Sequence, residues 1–250
     1  MRNIYFFGMM LATVLASGGR TWAQFEAPAT NTWHGDLALG LSLAKGNANT
    51  LLLSGSATAN REWLKNELHF GVSGQYGLNN FDRTNETATA SSVQGFGEYK
   101  RLITERFYGL VRVDGLHDDI AEVHYRVIGS PAIGYYFVHT EHSRVSGEIG
   151  PSYIEERVGD NNDHGYVALR LSERAEHSFN KSGKIWEQID WLPQVNNLNK
   201  YLVNAEAGAE AALNTRLSLR VVATDRYNSN PPSGRKNNDI TLISSVAWKY

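Results

Sequence analysis

The sequence predicts an all-β chain, an antiparallel barrel of about twelve strands closed on itself. Two observations predict it. Apolar and polar residues alternate with period two through most of the chain, the period of a strand and not of a helix. The alternating segments are separated by stretches rich in Asn, Asp, Gly and Pro, where a chain reverses direction.

The first 23 residues stand apart. Arg2 supplies a basic start, Ile4 to Leu15 an apolar run, and Thr21-Trp22-Ala23 a small-residue ending, which together read as a secretory signal peptide cleaved after Ala23. The run is shorter than the roughly 18 to 20 apolar residues of a membrane-spanning helix, and no later run reaches that length. Residues 24–32 form a polar periplasmic linker, and the barrel takes residues 33–250.

The first strand starts at Trp33, with Leu37, Leu39 and Leu41 on one face and His34, Asp36 and Ala38 on the other. Thr50 to Asn60 follows a turn at Lys45 to Asn49, and a third strand sets Leu68, Phe70, Val72 and Tyr76 against Glu67, His69, Ser73 and Gln75. Nine more are expected at Thr87 to Lys100, Phe107 to Leu116, Tyr125 to Phe137, Arg144 to Glu155, Tyr166 to Phe179, Lys184 to Pro193, Tyr201 to Leu213, Arg216 to Tyr227 and Asp239 to Tyr250. The connections alternate. Those at Gly77 to Glu86, His117 to His124, Glu156 to His164, Gln194 to Lys200 and Asn228 to Asn238 are longer than the turns between them, a pattern of outer-membrane barrels.

The two faces meet different solvents. One is nearly uncharged, rich in Leu, Val and Ile, with Trp and Tyr near strand ends where membrane interfaces carry aromatic girdles. The other carries Glu67, Glu98, Lys100, Arg112, Asp114, Arg126, Arg144, Glu148, Arg170, Asp190, Glu206, Glu210 and Arg220. A membrane barrel turns this face to a polar lumen, as pore lining or as a plug of paired charges. A soluble periplasmic binding barrel would turn it outward. Glu173 and Glu187 break the outward parity, so a bulge or an interfacial position is expected there. The abundance of Gly, Ala and Ser favours lipid over a dry packed core. Closure also removes the sticky edge of an open sheet.

The 24 basic and 26 acidic residues are interspersed, with no basic stripe for nucleic acid, and the chain has no Cys. His139, Glu141 and His142 sit in a predicted solvated turn with no Cys and no further ligand nearby in sequence, so neither metal nor cofactor is expected. His117, His142, Ser143 and Ser244 are the residues to weigh for a barrel-wall enzyme acting on lipid or lipopolysaccharide. No nucleophile motif frames them, and a non-enzymatic barrel is expected. Glu155 and Glu156 are adjacent on a strand, point to opposite faces and cannot share one site. Gly159 to Asp163 lacks the spacing and terminal Glu of a calcium loop.

Leu39-Gly40-Leu41-Ser42 leading into Gly46-Asn47-Ala48-Asn49-Thr50, then Ile133-Gly134-Tyr135, Glu148-Ile149-Gly150-Pro151-Ser152-Tyr153, and the Ala- and Glu-rich run Tyr201 to Leu213 resemble the YdiY-like family of salt-induced outer-membrane proteins, domain of unknown function 481. The resemblance spans most of Trp33 to Tyr250. It implies the outer membrane of a Gram-negative bacterium and a link to salt or envelope stress, and it brings no substrate or catalytic residue. The ending Val246, Trp248, Tyr250 resembles the C-terminal assembly signal of outer-membrane barrels. The expected partners are therefore the barrel assembly machinery during biogenesis, then outer-membrane lipid and lipopolysaccharide.

Overall fold

The computed structural model describes residues 31–44, 50–79, 87–160, 163–179 and 183–250. The expected signal peptide, most of the linker and the turn at Lys45 to Asn49 lie outside the described residues. Twelve strands follow one another: β1 Trp33–Ala44, β2 Thr50–Trp63, β3 Asn66–Asn79, β4 Thr87–Leu102, β5 Phe107–Asp118, β6 Val123–His139, β7 Ser143–Val158, β8 His164–Phe179, β9 Gly183–Gln194, β10 Asn197–Ala212, β11 Leu217–Asn228 and β12 Asn238–Lys249. Each pairs antiparallel with the next, and β1 pairs with β12 to close the barrel. The strands are 12 to 17 residues long, more than the roughly 9 to 11 that a tilted strand needs to cross the hydrocarbon core.

Register carries one parity around the wall. Leu39 lies opposite Gly55 on β2 and Val246 on β12, and Leu242 opposite Ala223 on β11, so the apolar faces of neighbouring strands coincide. That face points outward: Leu39 is 76 % exposed and Ile240 72 %. This is the reverse of a soluble binding barrel, which would bury it. Trp33, Tyr99, Tyr135, Phe137 and Trp248 lie on the outside toward the end that carries the chain termini, and Tyr76, Tyr153 and Trp191 toward the other. Register shifts between Gly77 and Leu78, Leu116 and Asp118, Tyr136 and Val138, and Asn197 and Tyr201 bend the wall locally.

Two expectations need correction, and a third is narrowed. The β9–β10 connection, expected to be long over Gln194 to Lys200, is a turn at Val195-Asn196, because Asn197 to Lys200 continue β10. Asn content misled there, since these residues reach the strand through a register shift. At Glu173 and Glu187 the β8–β9 ladder keeps one register from Ala168 opposite Gln194 to Phe179 opposite Gly183, which removes the bulge and leaves the interfacial position of the two alternatives expected there. Both carboxylates stand on the outward face, Glu173 between Gly147 and Ile189, Glu187 between Ala175 and Ala207. The inward face, finally, is not uniformly polar. Ile128, Ile154, Ala168, Leu192 and Leu202 form one apolar cluster inside the barrel, and Tyr108, Leu110, Ala132 and Tyr136 another.

These clusters lie on β5 to β10 and make the lumen lopsided. Tyr108, fully buried, packs its ring so close to Gly134 that a Cβ there would come within 2.3 Å of it. On the opposite wall the middle of β1 to β3 carries small inward residues, Ala38, Ser54, Ser56, Thr58, Gly71 and Ser73. One side of the barrel is filled and the other is left open.

Candidate pore lumen

The open side is a cavity of about 1710 Å³. Its lining runs from Asn214 and Thr215 in the β10–β11 turn, past the small residues of β1 to β3, up to Leu116 and Arg226 near the far end. Alternation places the side chains: on each strand every second residue points in, so charges two apart, such as Arg112 and Asp114, share the lumen.

Of the charges expected to face inward, Glu67, Glu98, Lys100, Arg112, Asp114, Arg126, Arg144, Arg170, Asp190, Glu206, Glu210 and Arg220 line the cavity. Glu148 points inward too but is buried behind Arg170, its carboxylate accepting from Arg170 Nη1 at 3.2 Å and from the Tyr108 hydroxyl at 3.0 Å. Arg170 also donates from Nε and Nη2 to Asp190 at 3.0 and 2.7 Å. Arg112 grips Asp114 through Nε at 2.9 Å and Nη2 at 2.8 Å, reaches Glu98 at 3.2 Å and lies over the Phe96 ring. Lys100 holds Glu67 at 3.6 Å; Arg126 pairs with Glu156, and Arg220 with both Glu210 and Asp36. Glu206 accepts from the Trp186 indole at 2.7 Å.

Among the described residues, three ion pairs do more than join neighbours, because they cross the lumen. Glu62 on β2 faces Arg144 on β7 at 3.8 Å near the turn end, where both are half exposed. Glu98 on β4 takes a two-pronged contact from Arg174 on β8, at 2.9 and 3.2 Å, with its carboxylate buried. Asp118 on β5 meets Arg226 on β11 at 3.0 Å near the far end, six strands away around a twelve-strand wall. In each, the carboxylate comes from β2 to β5 and the guanidinium from β7 to β11. Above the last of them, the 229–237 connection reaches over to the β5–β6 turn, where Arg235 donates to Glu122 at 2.7 Å and Pro232 lies beside Gly159.

Sequence reasoning missed Arg174, Arg226 and Asp118, and placed Asp36 on the polar face without naming it among the lumen charges. Arg174 carried a signal: it follows Arg170 by four residues and so shares its face. Of the residues weighed for barrel-wall catalysis, Ser244 faces outward on β12 opposite Val221, and His117 bonds the His124 carbonyl at 2.8 Å. Ser143 meets a different histidine, its hydroxyl lying 2.8 Å from His177 Nδ1, with the imidazole packed edge-on against Phe179. No group of three potential metal ligands occurs among the described residues. Val246 and Trp248 face outward on β12, and the Tyr250 hydroxyl reaches the Thr58 carbonyl at 3.4 Å.

Outside the strands, Asp119 accepts from the Ser91 hydroxyl at 2.6 Å and faces His117 Nε2 at 3.1 Å. The Ser91 hydrogen bond, with the nearby imidazole, holds its carboxyl below the usual aspartate range.

Among solved structures, the NanC porin is similar at 9 % identity, over 86 % of this chain and 97 % of that one, with a TM-score of 0.48. The KdgM porin matches at 8 % identity over 88 % and 98 %, TM-score 0.44. The translocator domain of the autotransporter NalP from Neisseria meningitidis matches at 9 % over 87 % of each chain, TM-score 0.45. At such identities the likeness is one of fold alone. No curated protein matches the chain. The family model described as a protein of unknown function, DUF481, matches residues 37–250, nearly the whole barrel, and the chain belongs to that family.

Proposed function

We propose that this chain sits in the outer membrane and acts, without catalysis, as a narrow channel for small polar solutes. One observation carries the reading: the cavity runs along the small-residue wall of β1 to β3 through most of the barrel's length, bounded on the other side by paired charges. The outward apolar face with aromatics toward both ends supports the location. The barrel meets membrane lipid and lipopolysaccharide on that face, and the Val246, Trp248, Tyr250 ending is read by the assembly machinery. The lumen-crossing pairs make ionic strength a natural control, because the exposed pair at the turn end is screened by salt far more than the buried one. This fits a role in salt or envelope stress.

The test is single-channel conductance of the refolded protein in a planar bilayer, with Glu98→Gln/Arg174→Gln beside it. Discrete steps, larger in the double variant, are expected. Insertion without conductance in both proteins would refute the channel and leave a barrel that only stabilises the envelope.

The contact between Ser143 and His177 favours a second reading, a lipid-acting serine enzyme on the outer wall. Its signature would be phospholipid hydrolysis in vesicles that Ser143→Ala abolishes.

A further inference from the structure

We propose that Arg174 is an oxyanion-binding site in the middle of the lumen, selecting small solutes that carry a carboxylate or phosphate. The inference deepens the channel reading and rests on it for access to the site. A guanidinium offers five N–H donors along two usable edges. Glu98 occupies one edge of Arg174, through Nη1 at 3.2 Å and Nη2 at 2.9 Å. Nε, on the other edge, is buried and has no hydrogen-bond partner. A donor left unmet away from bulk water is unfavourable, and an oxyanion presenting two oxygens side-on would satisfy it together with the adjacent Nη hydrogen.

The surroundings let Arg174 take such a guest. Glu98 is contacted by three cations, since Arg112 lies at 3.2 Å and Lys100 at 3.9 Å besides Arg174. It therefore keeps counter-charge if Arg174 turns toward a solute. Arg112 is held by Asp114, and Arg170 by Glu148 and Asp190, so neither is available in the same way. Among the described cations at this level Arg174 alone combines a lumen-crossing reach, a place on the cavity wall and an unmet donor. The lining balances acidic and basic side chains, so this is selection at one point and not a general attraction of anions.

The probes are sodium acetate and inorganic phosphate, titrated calorimetrically into the detergent-refolded protein at fixed ionic strength, with chloride as the reference anion. Saturable binding near one equivalent is expected. Arg174→Lys keeps the charge but loses the side-on edge, and should weaken binding about tenfold. Glu98→Gln releases Arg174 from its partner and should tighten it by a similar factor, about tenfold. Because the two variants move in opposite directions, misfolding cannot mimic the result, and heat-modified gel migration checks that each is folded. Binding no stronger than chloride in the wild type, or an Arg174→Lys variant that binds as the wild type does, overturns the proposal. Bilayer recordings separate the two readings: acetate binding with no conductance upholds the site and defeats the channel.

Discussion

Arg170→Met strands two carboxylates at once. The Arg170 side chain is 3 % exposed, that of Glu148 1 % and that of Asp190 11 %, so all three charges are largely shielded from water. The guanidinium makes contacts of 2.7 and 3.0 Å to Asp190, 3.2 Å to Glu148 and 3.4 Å to Ser172. After the substitution Glu148 keeps only the Tyr108 hydroxyl, and Asp190 the Gln188 amide at 2.7 Å. Removing one partner from a buried ion pair costs about 3–5 kcal/mol, and one surviving donor on each carboxylate keeps the expected loss within that range. Arg144→Met, which breaks the half-exposed pair with Glu62, should cost about 0–1 kcal/mol. The assay is urea unfolding of vesicle-embedded protein, followed by tryptophan fluorescence at low and high salt. The Arg170 loss should persist in high salt, because buried pairs are little screened, while the Arg144 effect should vanish. A triple variant, Arg170→Met with Glu148→Gln and Asp190→Asn, should regain most of the stability, since no charge is then left unpaired. A loss below about 1 kcal/mol for Arg170→Met would refute the assignment of this triad as the buried brace of the filled half.

Gly134→Ala should destabilise by about 1–3 kcal/mol in the same unfolding assay, because its Cβ would press on the buried Tyr108 ring, whereas Gly109→Ala, which meets open space, should stay within about 0.5 kcal/mol. Asp119 contributes to stability above the unfolded aspartate pKa, and that contribution is lost as pH falls through its depressed folded value. Ser91→Ala should move the Asp119 titration, read by NMR in nanodiscs, upward toward the ordinary range; an unchanged midpoint would exclude the hydroxyl as the cause. Arg235→Ala should leave global stability within about 1 kcal/mol yet speed proteolysis in the 229–237 connection, and equal cleavage rates would show that the Glu122 contact does not hold that segment.

The strands were legible because alternation is a local signal. Trp33, Thr87, Phe107 and Phe179 bound strands where the pattern places them, and the closed antiparallel order follows from short connections between consecutive strands. What misled was local chemistry overridden by pairing, as at Asn197 to Lys200, where Asn197 pairs with Gln194 of β9 and the next three residues are carried across a register shift before Tyr201 rejoins the ladder. The inward parity of Arg112 or Glu98 is also legible, but the contact of Glu98 with Arg174 is not. It joins residues 76 positions apart on strands that share no hydrogen bonds, and depends on how far the filled half pushes the walls together. The apolar filling itself, with Ile128, Ile154 and Leu192 on the face of Arg126 and Asp190, was masked by the charges beside it.

The closing seam is the thinnest part of the wall. Four residue pairs join β1 to β12, from Asp36 opposite Lys249 to Leu39 opposite Val246, against twelve between β1 and β2. Arg220 of β11 reaches past β12 to Asp36 of β1 and fastens the seam from inside. Among the described residues, β1 and β12 are thus joined by the shortest ladder. Amide exchange should be quickest along this line, and a barrel that parts sideways, whether while folding into the bilayer or while coming apart, should part here first.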